Sequence, residues 1–267
     1  MIDSSLVGAV EPVVRPDIFR KPLKFSEIGA VERPLELRER LFRHAAVRKG
    51  LILLVLAAAW EVYGRVLGNP LLFPTFSETV VAFFQNMADG SLPSRIAVSM
   101  RTLMIGYATG ICGASVLTVF AVTTRIGNDC LETLTAMFNP LPAIALLPLA
   151  LIWFGLGEAS LVFVLVHSVL WAVALNTHGG FRSVSNTLRM VGQNYGLGTF
   201  SYVRLLLIPA ALPSIVTGLK IGWAFAWRTL IAAELVFGVS SGSGGLGWFI
   251  FENKNQLEIP NVFAGLL

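Results

Sequence analysis

Charge is what this 267-residue chain has least of. Only 13% of its residues are Asp, Glu, Lys or Arg, about half the ~25% of an ordinary soluble domain. That is too little to clothe a fold of this length in water, and a mean hydropathy of +0.71 agrees. Cysteine is scarce as well. Cys112 falls inside an apolar run and Cys130 at the edge of a polar turn, so no disulfide framework is expected. The three histidines are scattered, and no metal cluster, catalytic triad or paired-carboxylate site is legible. No Gly-Lys pair occurs anywhere, which excludes the phosphate-cradling G-x-x-x-x-G-K-[ST] loop. A cleaved leader is not expected either, because the first apolar run begins only near Leu51 and no A-x-A site closes it.

What is present is apolar and ordered in runs. Hydrophobic residues make up 55% of the chain, and their distribution predicts an all-α membrane protein of about six transmembrane helices. Residues 1–49 have no apolar run but carry ten Lys or Arg. They read as a cytoplasmic tail, with a short helix over 34–49 lying along the membrane. No aromatic interleaving accompanies these charges, so a nucleic-acid partner is not expected. The transmembrane domain then occupies 50–267. Its first span is about 51–67, with Glu61 and Arg65 near the end. A loop over 68–75 leads to a short surface helix over 77–87, started by Ser77-Glu78, and to a second loop over 89–94.

The second span is predicted over 96–122. It contains Gly106-x-x-x-Gly110, small residues that let helices approach closely; a general packing face is preferred over a specific dimer motif. A polar turn over 123–129 contains Arg125. The third hydrophobic region, 131–154, is interrupted by Asn139-Pro140-Leu141-Pro142 and by Pro148. Such prolines either kink a helix simply or mark where it lines a pathway. A tight turn over 155–158 precedes a fourth span over 159–176. A polar insert over 178–212 precedes a fifth span over 213–237. Residues 238–258 read as a glycine-rich outer loop. In it Gly242-Ser243-Gly244-Gly245-Leu246-Gly247 forms a flexible face. Residues 259–267 begin another apolar run. A span needs about 20 residues, so a sixth helix is expected to be cut short.

Basic residues orient the bundle. Of twenty Lys and Arg, fourteen fall in 1–49, 123–130 and 178–212, and only Arg95 and Lys254 fall in the other loops. Positive residues collect on the cytoplasmic side, so the N-terminus is expected inside.

The insert over 178–212 is the most informative segment, since connections in helix bundles are usually short. Residues 185–195 can be helical with Gly196 as the stop, and a second piece over 199–208 is expected to end before Pro209. This helix–turn–helix elbow is either a docking element or a plain turn. Gly196 is followed thirteen residues later by Pro209, with Leu206-Leu207-Ile208 before it. That spacing resembles the cytoplasmic-loop signature E-A-A-x(3)-G-x(9)-I-x-L-P of ABC importer permeases. Met190-Val191-Gly192 stands where Glu-Ala-Ala would be. Other segments resemble the same family in order. They include Leu72-Phe73-Pro74-Thr75-Phe76-Ser77-Glu78, the 139–149 proline region, Trp153-Phe154-Gly155-Leu156-Gly157-Glu158, Asn176-Thr177-His178-Gly179-Gly180 and Ala233-Glu234. The resemblance covers roughly 50–267 and is strongest to the nitrate/sulfonate/taurine/bicarbonate branch.

The resemblance implies the type I ABC importer permease fold in a bacterial inner membrane. It implies a second permease copy, as a homodimer, and two cytoplasmic ATPase subunits that bind ATP-Mg. A periplasmic binding protein would deliver a small anion such as a sulfonate, a nitrate-like ion or a carboxylate. The chain itself is then neither an enzyme nor a cofactor binder. The ATPase-coupling residues implied are Arg189, Met190, Val191, Gly192, Tyr195, Gly196, Leu197 and Pro209.

Ionisable groups inside spans are candidates for function. Arg228 either offers positive charge to an anionic solute or is bound by a neighbouring helix. Glu234, six residues on, lies on another face and is expected to pack structurally near the outer end. His167 reads as a core histidine before a ligand. Trp171, Trp223 and Trp227 either line the path or pack. The alternative to an importer subunit is a secondary transporter that needs no ATPase; it would be expected to show internal repeats, and none is evident.

Overall fold

The computed structural model describes residues 44–237 and 244–267, all of whose regular structure is helical. They fall into two units, divided between Val55 and Leu56. The basic tail over 1–43 and the Gly242-Ser243 pair lie outside the described residues. Helix α1 is Ala45–Leu67. Residues 45–49 are its first turns rather than part of a separate surface helix. In the first unit it presents Leu51, Ile52, Leu53, Leu54 and Val55, all exposed.

In the second unit the elements run in order: α2 (Phe76–Ala88), α3 (Ser91–Thr123), α4 (Arg125–Phe138), a 3-10 turn (Ala143–Leu146), α5 (Leu147–Phe154), α6 (Glu158–Arg182), α7 (Asn186–Asn194), α8 (Thr199–Tyr202), a π turn (Val203–Leu207), α9 (Ile208–Phe237), α10 (Leu246–Asn255) and α11 (Ile259–Leu266). Helices α1, α3, α6 and the continuous stretch Thr199–Val236 are long and apolar enough to cross a membrane. The pair Arg125–Phe138 and Ala143–Phe154, bent by 88°, is a fifth crossing if taken as one broken span. The nine residues expected to begin a sixth span hold the short α11.

Several boundaries differ from the sequence expectation for clear local reasons. Helix α2 starts one residue early because Thr75, not Ser77, caps it. The Thr75 hydroxyl accepts from the Glu78 N–H at 3.2 Å and the Glu78 carboxylate accepts from the Thr75 N–H at 2.9 Å, a reciprocal box. Helix α3 absorbs the expected loop at 91–94, since Pro93 sits in its first turn, where a missing N–H costs nothing. The polar turn at 123–129 collapses to Thr124, whose hydroxyl accepts from the Gly127 N–H at 2.9 Å and so starts α4 at once. Pro148 does not break its region; it lies in the first turn of α5. The true break is 139–142, where two prolines remove two donors. Helix α6 runs six residues beyond its expected end, to Arg182.

Pro209 does not end a helix either. A π turn precedes it, with the Ile208 N–H bonded to the Val203 carbonyl five residues back, and the chain continues helically through Pro209 and Pro213.

The core lies where α3, α6 and α9 cross. Gly106 and Gly110 of α3 face α6 so closely that an added Cβ would lie 2.6 Å from Leu165 Cβ and 2.7 Å from Val169 Cβ. The small-residue stripe therefore serves packing within this chain. Around it Leu103, Leu147, Val164, Leu165, Val169 and Leu230 are wholly buried. Outside, α5 exposes Ile152 and Trp153 at 79% and 58%. An apolar periphery of this kind suits hydrocarbon, where only closed backbone hydrogen bonding is tolerated.

Candidate functional site

Three constructions at different heights of the bundle carry the functional reading. The first is the elbow between α6 and α9. The Ser185 hydroxyl accepts from the Leu188 N–H at 3.4 Å to start α7. Its other end closes on Gly196, whose φ of +64° only glycine adopts without strain. The Gly196 N–H donates to the Gln193 carbonyl at 2.9 Å and the Leu197 N–H to the Gly192 carbonyl at 3.3 Å. This pair of bonds is a Schellman stop, and it fixes where the chain turns back. Gly192 lets α7 rest against the chain that follows, since a Cβ there would come 2.7 Å from Leu206 Cδ1.

Arg189 is turned back on the bundle. Its Nη2 donates to the Phe181 carbonyl at 2.6 Å and its Nε to the Val184 carbonyl at 3.2 Å. Phe181 lies in the last turn of α6 and Val184 two residues past its end, where a cation is favoured by the helix dipole. The residues left facing outward are Met190, Val191 and Tyr195, exposed by 54%, 42% and 81%. Beside them a groove of about 560 Å³ is lined by Leu188, Val191, Leu197, Leu205 and Pro209. Of the eight expected coupling residues, three present side chains outward, Leu197 and Pro209 line the groove, and Arg189, Gly192 and Gly196 hold the elbow's shape.

The second construction is a cavity of about 410 Å³ between the 139–142 break, α6 and α9. His167, Trp171 and Arg228 all line it. His167 and Trp171 are four residues apart on α6, and the Trp171 Nε1–H donates to His167 Nδ1 at 3.1 Å. The imidazole proton therefore sits on Nε2. Phe138, at the end of α4, stacks on Trp171 at 5.5 Å and 10°, fixing that ring. On α9, Phe225, Arg228, Thr229 and Ala232 line the cavity together. Their i, i+3, i+4, i+7 spacing is one face of a helix. The Arg228 guanidinium lies 5.8 Å over the Phe225 ring. Reading that helical face outward from Arg228 would have found Phe225 and Thr229 in the sequence. No local signal marks Ser168, which also lines the cavity.

Three candidates do not line it: Trp223, which meets the Tyr107 ring at 5.2 Å, Trp227 and Glu234. Trp227 points the other way and packs against the buried cores. Glu234 lies in the third construction, a buried polar knot. It is only 4% exposed. Its carboxylate accepts from the Ser99 hydroxyl and from the Gly247 N–H, each at 2.8 Å, while Ser99 Oγ accepts from the Leu246 N–H at 2.7 Å. The carboxylate thus sits at the N-terminus of α10, where free N–H groups and the helix dipole favour an anion. Arg95 adds a bond to the Gly244 carbonyl at 2.9 Å and an ion pair to Glu252 at 3.2 Å. Gly245 and Gly247 are required by this closeness, since a Cβ at 245 would overlap Ser99 and the Glu234 carboxylate. The described part of the glycine-rich segment is therefore a buried junction leading into α10 rather than a flexible loop. Ser99 and Arg95 carried no sequence signal, as they are distant in the chain.

Among the described residues no group of His, Cys, Asp and Glu is arranged to hold a metal.

Known proteins resemble this chain over most of its length. Residues 106–267 match the model of the binding-protein-dependent transport system inner membrane component. The chain is similar to the taurine transport system permease protein TauC of Escherichia coli, with 28% identity over 240 residues, 88% of this chain and 86% of that one. It is also similar to the nitrate import permease protein NrtB of Synechocystis, with 26% identity over 234 residues, 85% of this chain and 84% of that one. The chain belongs to the binding-protein-dependent transport system inner membrane component family, the non-enzymatic, membrane-embedded permease subunits of ABC importers.

Proposed function

We propose that this chain forms half of the solute pathway of an importer for a small anion and that a second copy supplies the other half. Residues 178–212 face the cytoplasm in this reading, and so does the N-terminal tail over 1–49. The bias of Lys and Arg toward these segments supports that orientation. The solute is a sulfonate, a nitrate-like ion or a carboxylate. The relatives are described as taurine and nitrate permeases, and the cavity carries a cationic side chain of this chain, Arg228.

The single observation that carries the mechanism is the elbow. A helix of nine residues, closed at both ends by caps, holds Met190, Val191 and Tyr195 out of the bundle. Exposed apolar side chains on a rigid, pinned element are the mark of a docking surface. Each of two ATPase subunits receives one such helix, and ATP-Mg is bound by them. Because Arg189 ties α7 to the end of α6, and α8 and the π turn run directly into α9, movement of the docked helix is passed to the two helices that carry His167, Trp171 and Arg228. ATP and the loaded binding protein then act as linked ligands of one two-state assembly.

Co-purification tests this. The full-length chain is co-expressed with candidate ATPase subunits, and wild type is compared with a Met190→Ala/Tyr195→Ala variant. The variant is expected to lose most of the retained ATPase while keeping its own elution volume. Full retention by the variant would remove the docking assignment.

A further inference from the structure

The cavity between the 139–142 break, α6 and α9 is chemically one-sided. Its polar lining consists of Asn139, His167, Ser168, Arg228 and Thr229, and none of its lining residues is acidic. Arg228 has no ion-pair or hydrogen-bond partner among the described residues; it only lies over the face of Phe225 at 5.8 Å. A charged side chain inside a span without a partner is costly, and this one keeps its guanidinium fork open to the cavity. His167 Nδ1 is occupied by Trp171, so its remaining ring N–H, on Nε2, is a donor. The rest of the wall is apolar or aromatic, including Pro142, Ile144, Trp171 and Phe225. A volume of about 410 Å³ falls within the roughly 300–1,000 Å³ of ordinary small-molecule sites, and a bare inorganic anion would leave most of it unfilled.

We infer that this cavity is a resting site for a monovalent organic anion, a sulfonate or carboxylate on a compact apolar body. Arg228 takes the anionic group and the wall around Trp171 and Phe225 takes the body. Arginine suits the role because its planar fork matches two oxygens of such a head group at once. The Phe138 stack and the Trp171–His167 bond hold the aromatic wall in place before the ligand arrives, which lowers the cost of binding. The inference takes from the importer reading only its place on a transport route; binding to the cavity itself is independent of any ATPase.

The test is direct binding to the purified full-length chain, together with its ATPase subunits, by isothermal titration calorimetry in a Tris buffer free of sulfonates. The probes are benzenesulfonate, its neutral isostere benzenesulfonamide, and nitrate. Wild type is expected to bind benzenesulfonate saturably and the other two at least ~10-fold more weakly. Arg228→Gln is expected to weaken benzenesulfonate at least ~10-fold, Arg228→Lys less so, and Trp171→Phe to weaken it while leaving the preference for the anion unchanged. Retention of the ATPase by each variant reports that it is folded. The proposal is overturned if wild type shows no saturable binding, if Arg228→Gln binds as wild type does while still folded, or if nitrate or benzenesulfonamide binds as tightly as benzenesulfonate. If no ATPase is retained by wild type yet benzenesulfonate binds in the expected order, the importer reading fails and the cavity assignment stands.

Discussion

Replacing Glu234 separates a structural carboxylate from a solute-binding one. The residue sits in a membrane-crossing helix, where an ionisable group is a candidate for function, although the sequence reading expects it to pack structurally. In the structure it accepts hydrogen bonds from the Ser99 hydroxyl and the Gly247 N–H, both at 2.8 Å. Glu234→Ala leaves these two buried donors without an acceptor. Each such group costs about 1–3 kcal/mol, so the total loss is about 2–6 kcal/mol. With a shift of about 2–4 °C per kcal/mol for chains approaching this size, melting should fall by roughly 4–24 °C. The assay is the fraction of monodisperse protein left after heating, read by size exclusion. Ser99→Ala should cost less, since it removes one acceptor and leaves only the Leu246 N–H and part of the carboxylate unmet. The double variant should cost less than the sum, because the two side chains share one bond. Wild-type melting in Glu234→Ala together with loss of solute uptake would refute this reasoning and put the carboxylate on the pathway.

Three further outcomes follow from the geometry. Gly196→Ala forces a side chain into the left-handed region at a cost of about 1–2 kcal/mol; the variant should melt about 2–8 °C lower and retain less ATPase, and Gly196→Pro, whose φ is fixed near −65°, should retain none. Gly110→Leu pushes a bulky side chain into Val169 across the α3–α6 crossing, where a Cβ alone would lie 2.7 Å away; overpacking of about 1–3 kcal/mol or more should lower melting and yield, and an unchanged profile would contradict the packing role of that stripe. Arg182→Ala breaks an ion pair to Glu132 whose partners are 66% and 49% exposed, so melting should change by less than the equivalent of about 1 kcal/mol.

Much of the bundle was legible because apolar runs and prolines report on the chain locally. Helices α1, α3 and α6 were visible as runs, and the turn at Gly155–Gly157 as a pair of glycines. The elbow was visible too, because Gly196 writes its own stop into the sequence. What failed was mostly punctuation. Pro209 read as the end of a helix and Pro213 as the start of the next, but a π turn precedes Pro209, with the Ile208 N–H bonded to the Val203 carbonyl, and one helix passes through both. Polar residues at 123–129 read as a turn, yet Thr124 alone supplies both the end of one helix and the cap of the next. Of the candidate site, His167, Trp171 and Arg228 were named singly and the structure brings them together; no local pattern says that α6 and α9 face one another across the 139–142 break. The knot of Ser99, Glu234 and Gly247 was hidden for the same reason. Its partners are up to 148 residues apart, and a buried carboxylate at a helix N-terminus leaves no periodic trace.

The central claim is that this chain carries solute only when coupled to ATPase subunits through the α7 elbow. Uptake into proteoliposomes measures it most directly, with the chain reconstituted alone, with its ATPase pair, and with both the pair and the binding protein, against a panel of labelled sulfonates, nitrate and carboxylates. The account predicts uptake of one of these anions that requires ATP inside the coupling compartment and the presence of all the partners, and that is lost in Gly196→Pro. Uptake by the chain alone, driven by an ion gradient and indifferent to ATP, would contradict it and mark the chain as a transporter that needs no ATPase.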